Sequence, residues 1–208
     1  FMGVLSTKLK DGTPCRVVRI SFSGELAYEM YIESDYAHGM MDLLWENAKK
    51  LDGCLYGLEA LGALRVEKGH VTAAELDGRT TIDDAGLGKM ASSKKSYIGS
   101  AMRKRGVLSK DDREMLVGFF PINTKETFNA GTIVCEQHSI QGQGIGRITS
   151  VTHSPELGHW IGIGFVKGGL EKWKDKKLVG ADPVRNEQME IKVVSPHMID
   201  PEGKRMYA

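Results

Sequence analysis

A change of pattern near residue 115 restricts the possible folds more than any other feature of this chain. From there on the sequence is a series of short apolar segments rich in β-branched residues. They read MLVGFFPI, GTIVCEQ, GIGRITSV, HWIGIGFV and MEIKVVS, and Gly, Pro and Asn separate them. Such side chains suit a pleated, half-buried surface. Several short strands so spaced predict a small β-barrel or sandwich.

Residues 1 to about 75 follow a different pattern. RVVRISF and LAYEMYI flank Gly24-Glu25, which predicts a hairpin with a two-residue turn, Phe22 facing Ala27. Ser34 is placed to cap a helix in which Ala37, Met40, Met41, Leu44, Trp45 and Ala48 recur at helical spacing, with Asp52-Gly53 as the stop. A second helix is expected over Leu58 to Glu67, ending at Gly69, with a further strand around His70 to Ala74. The order β-β-α-α predicts a small α/β layer. Residues 76–93, LDGRTTIDDAGLGKMASS, read as a connecting segment, and KKSYIGSAMRKRG as a short basic helix with a solvated face. A boundary within VLSKDDRE then divides the chain into 1–106 and 107–208, and the fold class is α+β.

The bulk numbers exclude several classes. With 28 basic and 27 acidic residues, a net charge of +1 argues against a nucleic-acid track or an anionic membrane surface as partner. No apolar run has the length of a membrane span, and no signal peptide is visible. Cys15, Cys54 and Cys135 fit neither a zinc spacing nor a disulfide framework, so reduced thiols in a cytoplasmic setting are expected. The chain opens on Phe1-Met2, which reads as the tail of a longer protein.

Glu29 is the chemically unusual residue. In the predicted hairpin Val18, Ile20, Phe22, Ala27, Glu29 and Tyr31 share one face, and Glu29 is its only charge. A carboxylate among apolar neighbours must be paired, hydrogen-bonded or protonated. One solution is an arginine, with Arg16, Arg19 and Arg65 available. The other is a ligand with two parallel N–H donors, such as the 2-amino, N3–H edge of a pterin, against which Phe22 could form an apolar wall.

Other motifs carry less. GQGIGRI (142–148) lies in the β-rich part, where no helix follows to cradle a phosphate, and GLGK (86–89) lacks the spacing of a P-loop. His38, His70, His138, His153, His159 and His197 show no metal-ligand spacing, so no metal site is expected. Asp83-Asp84, adjacent in a loop, are expected to point apart into solvent. No catalytic residue can be assigned from spacing alone.

RISFSGELAYE, YGLEALGALRVEKG, TTIDDAGLGKMASSKKSYIG, GRITS with SPELG, and KVVSPHMIDPEGKR occur in this order. The set resembles the C-terminal part of heterotetrameric sarcosine oxidase alpha subunits, a branch of the folate-binding aminomethyltransferase family that includes the glycine-cleavage T-protein. That resemblance implies a tetrahydrofolate site in which Glu29 binds the pterin edge and Phe22 replaces a tyrosine common in relatives. Lys89, where glycine-cleavage relatives carry tryptophan, departs from the family pattern and is expected either to meet the acidic folate tail or to stand as a solvated lysine. Leu61, at a position where those relatives carry arginine, and Lys89 weigh against a glycine-cleavage aminomethyltransferase with a lipoyl-protein partner. KGHVTAAE from Lys68 lacks the Cys and Gln of the iron–sulfur assembly branch. Arg65 and Glu67 match an LR-x-E element read as a structural ion pair.

The implied function is enzymatic: capture of the one-carbon unit of an oxidised N-methyl amine as 5,10-methylenetetrahydrofolate. Flavin and NAD would sit on parts or subunits outside this chain. The implied partners are the remainder of an alpha subunit and the other oxidase subunits, and the isolated segment is expected to be nearly inactive. The competing reading is a non-catalytic structural or interaction module in which Glu29 pairs with an arginine.

Overall fold

The computed structural model describes residues 1–136 and 144–208. His138, Gly142 and Gln143 lie outside the described residues. The chain forms two compact units, residues 1–62 with 202–208 and residues 63–201.

The first unit holds an antiparallel sheet in the order β1 (Val4–Lys8), β2 (Pro14–Val18), β3 (Glu29–Tyr31). A 3-10 turn over Ser34–Tyr36 leads into helix α1 (Ala37–Lys49). Ser34 makes no side-chain cap, so the expected Ser34 N-cap gives way to the 3-10 entry. The two-residue hairpin is also absent. β2 and β3 pair with Val18 opposite Glu29 and Arg16 opposite Tyr31, and residues 19–28 form the connection. The reason is local: Ser21 Oγ accepts the Gly24 N–H (3.0 Å) and Ser23 Oγ that of Glu25 (3.4 Å). These bonds close residues 21–25 into a local side-chain-held turn in place of extended strand ends. The C-terminal residues close on the same connection. Arg19 donates to the carbonyls of Met206 and Ala208, both at 3.2 Å, and Arg205 pairs with Glu25 at 3.1 Å.

Helix α2 (Leu58–Lys68) ends where Gly69 takes a positive φ of 76°. A Cβ there would lie 2.4 Å from the Pro196 carbonyl oxygen, so only glycine admits the segment that crosses the helix end. No strand forms at His70 to Ala74. The basic helix shrinks to α3 (Ser100–Arg103).

The second unit is dominated by a closed antiparallel barrel. Its strands are β4 (Glu114–Pro121), β5 (Ile133–Cys135), β6 (Gly146–Ser154), β7 (His159–Lys167), β8 (Lys177–Asp182) and β9 (Glu187–Val194), in the order β4-β7-β6-β5-β8-β9. Helix α4 (Gly169–Trp173) links β7 to β8. Val117, Phe119, Phe128, Val134, Ile148, Val166, Leu178 and Ile191 fill the interior. Each such side chain contributes roughly 1.5–3 kcal/mol on burial.

The alternation in HWIGIGFV has a packing cause. Ile161 and Ile163 of β7 point outward and pack on Val66 of α2. The intervening Gly162 leaves room inside for Phe128, whose ring would lie 2.7 Å from a Cβ. Gly164 admits the β6 backbone, since a Cβ there would meet the Arg147 carbonyl oxygen at 2.2 Å. A strand buried on both faces reads as a nearly continuous apolar run.

One buried acid ties these parts together. Glu75 is fully buried and accepts five hydrogen bonds: from Arg65 Nη1 (3.0 Å), the Thr72 N–H (2.8 Å), Thr72 Oγ1 (3.1 Å), Thr149 Oγ1 (2.7 Å) and Ser150 Oγ (2.6 Å). Consecutive strand residues normally face opposite sides. Thr149 and Ser150 both reach Glu75 because the β6–β7 register shifts between Ile148 and Ser150. Burial is the largest influence on this carboxyl and pushes its pKa up. The bonds from Ser150, Thr149 and Thr72 and the Arg65 charge outweigh it and hold the group below the usual carboxylate value. The expected Arg65–Glu67 pair is thus replaced: Arg65 serves Glu75, and Glu67 accepts the Ser154 hydroxyl.

No helix among the described residues is long and apolar enough to cross a membrane. Cys15 and Cys135 are buried free thiols and Cys54 is exposed.

Two outcomes follow for urea unfolding monitored by tryptophan fluorescence. Glu75→Ala strands the Arg65 guanidinium and lowers stability by about 3–5 kcal/mol. Because the folded-state value of Glu75 is depressed, its stabilisation is complete above the unfolded-chain pKa of about 4.3 and is lost as pH falls through the folded value, so the variant and parent curves converge in acid. Gly164→Ala lowers stability by about 1–3 kcal/mol, because the obstructing atom is cross-strand backbone.

Candidate functional site

Glu29 opens β3 and lies in a row with Val18 of β2 and Val4 of β1. The next row on that face is Ser6, Arg16 and Tyr31. The shared face of Val18, Glu29 and Tyr31 therefore survives the change of turn, because the register moved by an even number of residues. The face itself is open. Val4 is 64% and Tyr31 55% exposed, and Glu29 is exposed as well, not the buried acid the hairpin pattern implied.

The carboxylate has one protein partner among the described residues. Tyr31, two residues on and on the same face, donates its hydroxyl to Glu29 Oε2. That hydrogen bond, with the negative charge behind it, holds the tyrosine proton and raises the Tyr31 pKa. Among the described residues Glu29 takes no other hydrogen bond and no ion pair. The three arginines that could have neutralised it are elsewhere. Arg19 is committed to the carbonyls of Met206 and Ala208 and Arg65 to Glu75, and among the described residues Arg16 makes no ion pair. An ionised carboxylate has about four acceptor positions, so a single tyrosine leaves Glu29 able to receive a two-donor edge.

Tyr31 also lines an open cavity of about 390 Å³ with Ser6, Arg16, Ile32 and Glu33. That size falls within the range of small-molecule sites. Phe22 lies in the 19–28 connection, 42% exposed and outside the strands. It belongs to the same unit as Glu29. Lys89 is exposed in a 3-10 turn, Gly88–Met90, of the second unit, where among the described residues it makes no ion pair.

Sequence reasoning missed Tyr31 as the partner of Glu29, although its i, i+2 spacing on a strand carries that signal. It also misjudged the aspartate pair. Asp83 and Asp84 do diverge, but into arginine forks instead of solvent. Arg103 Nε and Nη2 donate to Asp83 at 2.6 Å each, and Arg113 Nε donates to Asp84 at 2.7 Å, with its Nη2 on the second oxygen. Among the described residues no group of three or more His, Cys, Asp or Glu could hold a metal ion.

The family profile described as the GCVT N-terminal domain matches residues 1–95, and that described as the glycine cleavage T-protein C-terminal barrel domain matches residues 115–200. Sarcosine oxidase subunit alpha of Rhizobium meliloti (strain 1021) is 34% identical over 192 residues, covering 91% of this chain and 19% of that protein. The same subunit of Corynebacterium sp. (strain P-1) is 30% identical over 99% of this chain and 21% of its own length. An aminomethyltransferase of Halothermothrix orenii is 32% identical over 78% of this chain and 44% of its own. Among solved structures, the glycine cleavage system aminomethyltransferase T from Bartonella henselae superposes with a TM-score of 0.71 at 18% identity, over 94% of this chain and 52% of that one. The chain spans about a fifth of the length of the sarcosine oxidase subunits that it matches.

The Glu29–Tyr31 bond has a direct readout. Following tyrosine ring carbons by NMR through alkaline pH, Tyr31 titrates above the ordinary tyrosine value of about 10. In Glu29→Gln it titrates lower, because the charge that held its proton is gone.

Proposed function

The chain belongs to the glycine-cleavage T-protein family, and from that premise we propose that it binds tetrahydrofolate through Glu29. The two carboxylate oxygens accept the 2-amino and N3–H donors of the pterin as a parallel pair. Tyr31 pre-orients the carboxylate, so less freedom is lost on binding. Phe22, in the same unit as Glu29, supplies an apolar wall. The observation that carries this reading is the open Glu29 carboxylate, which no arginine among the described residues occupies. The alternative of a purely structural Glu29 required such an arginine.

Tetrahydrofolate supplies nucleophilic amines that take up a one-carbon unit. We assign the chain the role of holding the pterin while that unit, from an oxidised N-methyl amine such as sarcosine, becomes 5,10-methylenetetrahydrofolate. Two features support the sarcosine oxidase branch over a glycine-cleavage aminomethyltransferase. The alpha-subunit relatives align over 91–99% of the chain, against 74–78% for the aminomethyltransferases, and Leu61 and Lys89 depart from the latter. Oxidation of the amine, with its flavin and NAD, is assigned to the rest of the holoprotein, as are the subunit partners.

Calorimetry with 5-formyltetrahydrofolate tests the reading. Glu29→Gln replaces one acceptor of the fork by a donor and weakens binding by about 1.5–3 kcal/mol, while the melting temperature stays at that of the parent. Unchanged affinity would remove Glu29 from the site.

A further inference from the structure

A second concave site, within residues 63–201, has an electrostatic character that the folate reading does not use. It is a cavity of about 870 Å³ built largely from residues 92–113, with Asp83, Asp84 and Met115 completing the wall. Six cations and two acids line it, a local net charge of +4 in a chain whose total is +1. The two acids are already spent: Asp83 is gripped by Arg103 and Asp84 by Arg113. The forks that would recognise a planar carboxylate are therefore closed. Among the described residues the remaining cations, Lys94, Lys95, Lys104 and Lys110, make no ion pair with any acid. The Ser92 hydroxyl oxygen accepts the backbone N–H of Lys94 (3.1 Å) and of Lys95 (3.3 Å) and so fixes the turn that carries both.

Hydroxyls complete the donor set. Ser93, Ser96, Ser100 and Ser109 line the cavity, and Tyr97, which accepts from Arg103 Nη1 at 3.3 Å, keeps its own proton to donate. Apart from Tyr97 the wall has no aromatic ring, so there is no slot for a stacked base. Lysine ammoniums are compact point charges without a directional fork, and they suit a tetrahedral anion as well as a planar one. Four such charges held together repel one another until an anion enters.

We propose that this cavity is a binding site for a small anion carrying two or more phosphate groups. The arginine–aspartate forks form its rigid frame, and Lys94, Lys95, Lys104 and Lys110 with the serine hydroxyls take the phosphate oxygens. The volume exceeds what a single orthophosphate needs, and four lysines balance the charge of a diphosphate.

Inorganic pyrophosphate, titrated calorimetrically into the 208-residue chain without divalent metal, is the probe. Saturable binding of one pyrophosphate per chain is expected, weakening as salt rises. Lys94→Ala/Lys95→Ala lowers the affinity about ten-fold, equivalent to about 1.4 kcal/mol. Lys49→Ala/Lys50→Ala, a lysine pair on the first unit, leaves it unchanged. Circular dichroism melting of both variants at the parental temperature shows that the comparison concerns binding. Three results would overturn the proposal: no saturation, an equal loss in the two lysine-pair variants, or citrate binding as tightly as pyrophosphate. The last would make the cavity a carboxylate site.

Discussion

A carboxylate buried without solvent is the constraint on which the barrel unit depends. Glu75 cannot stay ionised in that position unless its oxygens are bonded, because removing an ion from water costs several kcal/mol even after relaxation. Arg65 of α2, Thr72 in the following turn, and Thr149 and Ser150 on β6 all converge on it. The bulge in β6 is what allows two successive hydroxyls to face the same group. The helix end, the turn and the strand are thereby held by one acceptor, while Val66 on the same helix packs against Ile161 and Ile163. Polar satisfaction and apolar packing act together at this junction.

Glu29 represents the opposite use of the same side chain. It stands on an exposed sheet face with, among the described residues, a single tyrosine partner and no cation. A glutamate on which five donors converge serves architecture; one with an oriented but largely unoccupied carboxylate can serve a ligand. The difference lies in the neighbours, not in the residue type, and it separates the structural acids of this protein from its candidate recognition acid. Asp83 and Asp84 fall with Glu75, since each is closed by an arginine fork. Burial, the largest influence on Asp84, pushes its carboxyl up. The Arg113 fork and the Thr81 bonds override it and keep the group below the usual range.

Much of the architecture is legible along the chain. The short β-branched runs after residue 115 became β4, β5, β6, β7 and β9, and the glycine after Lys68 ended α2. Two strands were not legible. VLSTK and KLVGAD are short and mixed in polarity, and they become β1 and β8 only by pairing with β2 and with β5 and β9. The two-residue turn at Gly24-Glu25 was read from dipeptide preference, but Ser21 and Ser23 bond the backbone of a longer turn and the ladder ends at Val18 and Glu29. Because the register shift was even, the face shared by Glu29 and Tyr31 was unaffected.

The sequence by itself therefore determined which residues share a face, where apolar runs break, and that a strand-rich second half follows a mixed first half. These depend on the pitch of a helix and the pleat of a strand, which act over a few residues. Only the tertiary structure decided who bonds to whom. Arg65 ignores Glu67 two positions away for Glu75, and Asp83 and Asp84 find partners 20 and 29 residues further on. Such choices follow from chain closure, which brings distant donors within hydrogen-bond reach and strips them of water at once, so spacing along the chain carries no record of them.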